Sequence, residues 1–183
     1  MIKVSEKDWE IFHENYRISR EKLFLIFPYR ANFEELKQLL LESKTDSIYD
    51  TPFTDILWRF PISMSDNDFM RLLQFFLLEN WHHNHESIIG SFQDSFNEDE
   101  NNIKYLMQIF HSPPEFYKHD EDLKYPFIRK IIYAIGAQPE PYNIEALEKI
   151  SLSEDEVIKE LALHQIEKRK RLGRWEAKQN EQF

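Results

Sequence analysis

Cysteine is missing from the 183 residues of this chain. Its absence removes disulfides, thiolate nucleophiles and cysteine-based metal sites together, and it suits a reducing compartment. Residues 1–9 carry four charged side chains and lack the apolar core that a secretory signal requires. We therefore expect a cytoplasmic protein.

Long hydrophobic runs are missing as well. The longest ones, over 23–28 and 75–78, fall far short of the ~20 residues that cross a bilayer, so no membrane partner is expected. Hydrophobic residues make up 42% of the chain and aromatic residues 15%, which supplies enough apolar surface for a core. Because one core usually occupies roughly 100 to 200 residues, we expect a single helical domain over 1–183.

Glycine is scarce, and the Asn-Gly and Asp-Gly signals of β-hairpins do not occur, so strands have little support. Apolar residues recur instead at helical spacing, as in Phe33, Leu36 and Leu40. This periodicity, with the capping residues and prolines, predicts an all-α protein. The predicted helices cover about 5–27 (with a break near Ser19 as an alternative), 33–43, 53–60, 65–80, 84–96, 103–110, 125–135, 143–150 and 153–172.

Capping residues give finer expectations for two of these helices. Gly136 is expected to end the helix over 125–135, since glycine adopts the backbone conformation that closes many helices. Ser153 is expected to begin the last helix, with Glu156 completing a capping box. Prolines at 113 and 114 predict a loop that continues to about residue 123.

The segment 127–169 resembles a HEAT repeat. Two helices joined by a proline-bearing turn are followed by an acidic turn into a third helix, and the matching residues are Ala134, Gly136, Pro139, Asp155, Val157 and Ala162. Segments 53–80 and 84–110 look like degenerate copies with bulkier residues. The resemblance implies antiparallel helix pairs stacked as a short HEAT-like α-solenoid over 31–172, with an N-terminal helix over 1–30 and a polar tail over 173–183.

Charge is concentrated in the middle of the chain. The formal net charge is -10, and residues 31–120 hold sixteen acidic and six basic side chains, while the two flanking segments are nearly balanced. A field of this sign repels phosphate backbones and attracts basic partners. We therefore expect a basic protein partner and no direct contact with nucleic acid.

Small, acidic, cysteine-free helical proteins with degenerate HEAT-like repeats resemble bacterial immunity proteins of contact-dependent growth inhibition and other polymorphic toxin systems. This resemblance implies an inhibitor that binds a cognate toxin domain, such as a basic nuclease, and blocks its active site or its access to substrate. The residues expected to bind the toxin are Asp66, Asp68, Glu79, Trp81, Glu86, Asp94, Glu98, Asp99, Glu100, Asp120, Glu121 and Asp122.

The segment 81–86 is the densest group of metal-ligand types. His82, His85 and Glu86 would share a face of a helix, but their order matches neither H-E-x-x-H nor H-x-x-E-H. A solvated turn with one packed histidine is the preferred interpretation. Without a P-loop, a glycine-rich loop or a nucleophile elbow, we expect neither an enzyme nor a metal or other cofactor.

Basic and tryptophan residues leave further alternatives open. The cations over 168–171, with Arg174 and Trp175, suit nucleic-acid binding, but they also complement the dipole of the last helix, which is favoured. Trp58 is expected in the core, whereas Trp81 and Trp175 suit either an interface or a core. The alternative functions are a helical-repeat scaffold for protein–protein interaction and a HEAT-like nucleic-acid or metal-dependent enzyme.

Overall fold

A computed structural model describes residues 3–44, 51–95 and 98–173. These residues form α-helices joined by turns, and the β-type pairing among them is an isolated bridge between Ala31 and Ile62. The all-α prediction is confirmed. The helices are α1 (Glu6–Glu14), α2 (Arg20–Ile26), α3 (Phe33–Glu42), α4 (Thr51–Arg59), α5 (Asp66–Leu77), α6 (His85–Asp94), α7 (Asn101–His111), α8 (Glu121–Gly136), α9 (Tyr142–Ile150) and α10 (Glu156–Leu172).

The chain divides into two compact units. Unit 1 comprises residues 1–73 and 81–84, and unit 2 comprises residues 74–80 and 85–183. The predicted single domain over 1–183 stays a prediction. Within the described ranges, no helix has the length and apolar character that a bilayer-spanning segment needs.

The core of unit 1 includes a cluster of three buried phenylalanines. The ring centroids of Phe12, Phe27 and Phe60 lie 5.2 to 5.9 Å apart. The single helix predicted over 5–27 is wrong, and the alternative with a break near Ser19 is confirmed, because α1 ends at Glu14 and α2 begins at Arg20. The break leaves backbone carbonyls without helical partners, and the Arg59 guanidinium donates to two of them, those of Phe12 and Asn15, at 3.1 and 2.9 Å.

Alternate helices of unit 2 run in the same direction. Lys130, midway along α8, pairs with Glu86 at the start of α6, and Gln138, just after α8, donates to the carbonyl of Phe92 near the end of α6 at 2.9 Å. The two contacts follow the same order along both helices, so α6 and α8 are parallel.

Helices α8 and α10 also run in the same direction. Tyr125, in the second turn of α8, donates to Asp155 at the start of α10 at 3.2 Å, while Gly136, at the end of α8, lies beside Gln165 near the end of α10. The intervening helix α9 returns, because Asn143 at its start donates to the carbonyl of Gly136. This alternation is consistent with a helical repeat, and the continuous solenoid stays a prediction.

Helix α8 begins four residues before its predicted start. Asp120 caps it, since its carboxylate accepts from the backbone N–H of Asp122 at 2.9 Å. Pro126 therefore lies inside the helix. A 3₁₀ helix over Glu115–Tyr117 occupies part of the segment predicted as a loop.

Two predicted caps are wrong. Gly136 is the last residue of α8 itself, and Ala137 follows it in a right-handed conformation, so the glycine does not close the helix through a left-handed turn. Asp155 caps α10 in place of Ser153, because its carboxylate accepts from the N–H groups of Val157 and Ile158 at 3.1 and 3.3 Å. Ser153 instead accepts from the N–H of Asp155, in the turn that precedes the helix.

Candidate functional site

The residues predicted to bind a toxin are divided between the two units. Asp66, Asp68 and Trp81 belong to unit 1. The others belong to unit 2, and they are Glu79, Glu86, Asp94, Glu98, Asp99, Glu100, Asp120, Glu121 and Asp122.

In unit 1, Asp68 has local partners. It accepts from the Ser65 hydroxyl at 2.8 Å and pairs with Arg71 at 3.3 Å, while its own N–H donates back to Ser65. Trp81 is half-buried and packs edge-on against Phe53, with ring centroids 5.0 Å apart. These contacts hold Asp68 and Trp81 in place within unit 1. Asp66, in contrast, is exposed.

In unit 2, Glu86 and Asp99 also have structural partners. Glu86 pairs with Lys130 and accepts from the hydroxyl of Tyr117 at 3.2 Å. Burial, together with the charge of Glu86, raises the pKa of Tyr117, so this phenol stays protonated and keeps donating. Asp99 accepts from Gln74 at 2.9 Å. Both carboxylates therefore join helices to one another.

One end of unit 2 carries charges of both signs. Glu98 and Glu100 are exposed just before α7, and hydrogen bonding to Glu100 raises the pKa of the Tyr142 phenol at the start of α9. Helix α10 ends close to this start, because Gly136 contacts both Asn143 of α9 and the side chain of Arg169. The final turns of α10 bring the basic residues 168–171 to the same end.

The opposite end of unit 2 is acidic, and we call residues 115–124 and 154–160 the acidic end. Lys124 and Tyr125, near the start of α8, reach Asp155 at 3.4 and 3.2 Å, so the amino-terminal ends of α8 and α10 lie together. The two segments hold eight acidic side chains and three lysines. All three lysines already contact carboxylates, and the pairs are Lys118–Glu115, Lys124–Asp155 and Lys159–Glu156.

Several carboxylates of the acidic end remain available to a partner. Asp120, Glu121, Asp122 and Glu154 are exposed, and none of them forms an ion pair within the described part of the chain. Desolvation opposes ionisation of Asp155, but the N–H of Ile158 with Lys124 and Tyr125 outweighs it and lowers the pKa of this carboxyl. Asp155 therefore stays anionic well below neutral pH.

Exposed apolar side chains accompany these charges. Leu123 lies among the carboxylates of α8, while Leu152 and Val157 flank the start of α10, with 43%, 83% and 45% of their surfaces exposed. Apolar side chains surrounded by carboxylates match the layout of protein–protein interfaces, which have an apolar centre and a polar rim, and in which charges contribute mainly to specificity and association rate. The arrangement suits binding of a basic protein surface.

Sequence reasoning missed five of the eight acidic side chains of the acidic end. Asp120, Glu121 and Asp122 were predicted, whereas Glu154 and Glu156 lie more than thirty residues later and were left out. The parallel packing of α8 and α10 brings them to the same edge, and no local pattern reports that packing. A run of three acidic residues, Glu154, Asp155 and Glu156, two positions after Leu152, was the one signal available in the sequence.

The histidine segment contains two buried rings, not the single packed histidine that was predicted. In unit 1, His82 stacks on Phe53 with centroids 4.4 Å apart and accepts from the N–H of Asn84. In unit 2, His85 bonds the carbonyl of Glu79 at 2.9 Å. No group of three metal-ligating side chains converges among the residues that the structure describes.

The remaining tryptophan and basic predictions have mixed outcomes. Trp58 is half-buried, and its indole N–H donates to Asn84 at 3.3 Å, so it is less enclosed than predicted. Arg169 is buried, and the ammonium of Lys168 lies 5.4 Å from the centroid of the Tyr133 ring. Arg174 and Trp175 lie outside the described residues.

No family model matches the chain, and no curated protein or solved structure matches it significantly.

Proposed function

We propose that this chain is an inhibitor of the immunity-protein type, which binds a basic toxin domain through the acidic end of unit 2. One observation carries the proposal. The starts of α8 and α10 lie together and present exposed carboxylates whose neighbouring lysines are already paired, beside three exposed apolar side chains.

The charge of this surface favours a cationic partner. A nuclease binds the phosphates of its substrate through lysines and arginines, and the carboxylates of the acidic end offer the same cations an alternative anion. Attraction at long range raises the association rate of oppositely charged proteins. A toxin held in this way would have its phosphate-binding surface covered.

The exposed apolar side chains supply the second part of the recognition. Interface charges contribute mainly to rate and specificity, whereas desolvated apolar anchors near the centre contribute most of the affinity. Leu123 and Val157, each on the first turn of a helix beside Asp122 or Glu156, would be the anchors. Both belong to helices packed into unit 2, so little ordering is lost on binding.

The test is protection of cells from a toxin domain encoded beside this chain. We expect the wild-type chain to restore growth and to co-purify with the toxin. The triple variant Glu121→Gln/Asp122→Asn/Glu154→Gln should lose both properties. The matched control Glu10→Gln/Glu14→Gln/Glu34→Gln removes the same charge from exposed positions of unit 1 and should protect fully.

Equal protection by the two triple variants would overturn the assignment of the acidic end. Failure of the wild-type chain to protect against the adjacent toxin or to co-purify with it would overturn the inhibitor proposal itself.

A further inference from the structure

A run of apolar side chains stands exposed on unit 1 at the end of α2. Phe24, Leu25 and Ile26 have 39%, 81% and 52% of their surfaces exposed, whereas the flanking Leu23 and Phe27 are buried. Successive residues of a helix point about 100° apart, so the three exposed side chains cover an arc of roughly 200°. The helix is held by one face, and most of its last turn protrudes.

Cations accompany this run. Residues 16–30 hold four basic side chains and one acidic side chain; Arg20 donates to the carbonyl of Leu57 within unit 1, so Arg17, Lys22 and Arg30 are the exposed cations. The Arg30 guanidinium lies 3.7 Å from the centroid of the Phe24 ring and donates to the Phe24 carbonyl at 2.9 Å. Lys22 precedes Leu25 and Ile26 by three and four residues, so it shares their face of the helix.

We propose that the end of α2 inserts into the headgroup region of an anionic membrane surface. A protein partner would meet one face of the helix, and stable protein interfaces use about 20 to 30 residues on each side. Lipid instead surrounds a protruding helix on several sides, so a few apolar residues with adjacent cations are enough for shallow insertion. The charge and the wide arc of exposed side chains both favour lipid.

This inference goes beyond the proposed function and is independent of the acidic end. It differs from the expectation of no membrane partner. That expectation rests on the absence of membrane-spanning segments, whereas a helix end that inserts shallowly does not span the bilayer. The net charge of -10 is compatible with contact, because ionic screening confines electrostatic interactions to about 8 Å at physiological salt. The cations beside the insertion therefore dominate the local interaction.

The test is co-sedimentation of the full chain with phosphatidylcholine vesicles prepared with and without phosphatidylserine. We expect binding that increases with phosphatidylserine and decreases with salt. Leu25→Ser should lower the partition coefficient about fivefold, because it removes one inserted apolar side chain. Leu152→Ser is the matched control, since Leu152 and Leu25 are 83% and 81% exposed, and it should bind as the wild type does.

Lys22→Glu separates the contribution of charge from that of the apolar side chains. It should weaken binding only to the vesicles that contain phosphatidylserine. The proposal is overturned if the wild-type chain binds neither kind of vesicle, or if Leu25→Ser and Leu152→Ser lose binding equally. Association with an acidic protein, or with a second copy, through Leu25 and without vesicle binding would also overturn the membrane assignment.

Discussion

Three buried amide side chains join four helical segments of unit 2. Gln74 of α5 donates to Asn102 of α7 at 2.7 Å, and Asn102 donates to Gln138, just beyond α8, at 2.9 Å. Gln138 then donates to the carbonyl of Phe92 on α6. Asn102 and Gln138 both donate and accept, and Gln74 donates, so the chain of bonds fixes the orientation of each amide.

Removal of the middle amide should be costly. Asn102→Ala leaves a donor on Gln74 and an acceptor on Gln138 in the interior, and we expect a loss of about 2 kcal/mol in the free energy of unfolding. Urea denaturation measures this loss in the free energy of unfolding. The neighbouring Asn101→Ala, at an exposed position, should cost less than about 0.5 kcal/mol, and equal losses would contradict the role of the amide chain.

Two helical glycines should respond to alanine with opposite signs. At Gly90 an added Cβ meets no atom within 4 Å, so Gly90→Ala should stabilise α6 by about 0.5 to 1 kcal/mol. At Gly136 the Cβ would lie 3.0 Å from Oε1 of Gln165, whose side chain is buried. Gly136→Ala should therefore destabilise the protein by about 1 kcal/mol. The melting temperatures of the two variants test this prediction. Stabilisation by both substitutions would contradict it and would show that the Gln165 side chain moves aside.

At the scale of helices, Asp155 is the residue on which the acidic end depends. It caps α10 and connects the start of α10 to Lys124 and Tyr125 on α8. Asp155→Ala should cost about 1 to 2 kcal/mol in stability at neutral pH. Asp155→Ser, which retains a capping oxygen, should recover part of this loss, and urea denaturation would separate the cap from the bonds to α8.

The same carboxylate gives a pH dependence. Its pKa is lowered in the folded protein, so its contribution is present above the pKa of the unfolded chain and is lost as pH falls through the lower, folded value. The stability difference between wild type and Asp155→Asn should therefore be constant near neutrality and shrink in acid below about pH 4. A difference that grows in acid would contradict this assignment.

Most helices were predictable because their causes are local. Asn32 with Glu35 forms a capping box at the start of α3, and apolar spacing places α5 and α7 within a few residues of their observed bounds. The early start of α8 and the cap at Asp155 were missed, since several acidic residues near each start were equally suitable. Antiparallel pairing of successive helices implies that α8 and α10 run in the same direction, but the side chains that meet between them lie some thirty residues apart, and no local pattern predicts those contacts.

At the scale of the whole molecule, the acidic residues between Asp66 and Asp122 have two roles. Glu86 and Asp99 join helices, whereas Asp120, Glu121 and Asp122 stay exposed at the acidic end. A count of charges along the sequence therefore indicates the sign of the proposed binding surface, but it does not show which carboxylates belong to that surface. Only the unpaired carboxylates are expected to contribute to partner binding.

Binding to a basic toxin domain should weaken with salt. Encounter between the acidic end and a cationic surface is accelerated by long-range attraction, which screening reduces. We expect the association rate to fall steeply as salt is raised, while the dissociation rate changes less. Stopped-flow measurements test this, and an association rate independent of salt would contradict the electrostatic part of the proposal.

The most direct measurement is the dissociation constant, by titration calorimetry, of the adjacent toxin domain for wild type and the two triple variants. Glu121→Gln/Asp122→Asn/Glu154→Gln should bind at least about tenfold more weakly, and Glu10→Gln/Glu14→Gln/Glu34→Gln should bind as the wild type does. An unchanged constant for the first variant, or an equal loss for both, would contradict the account.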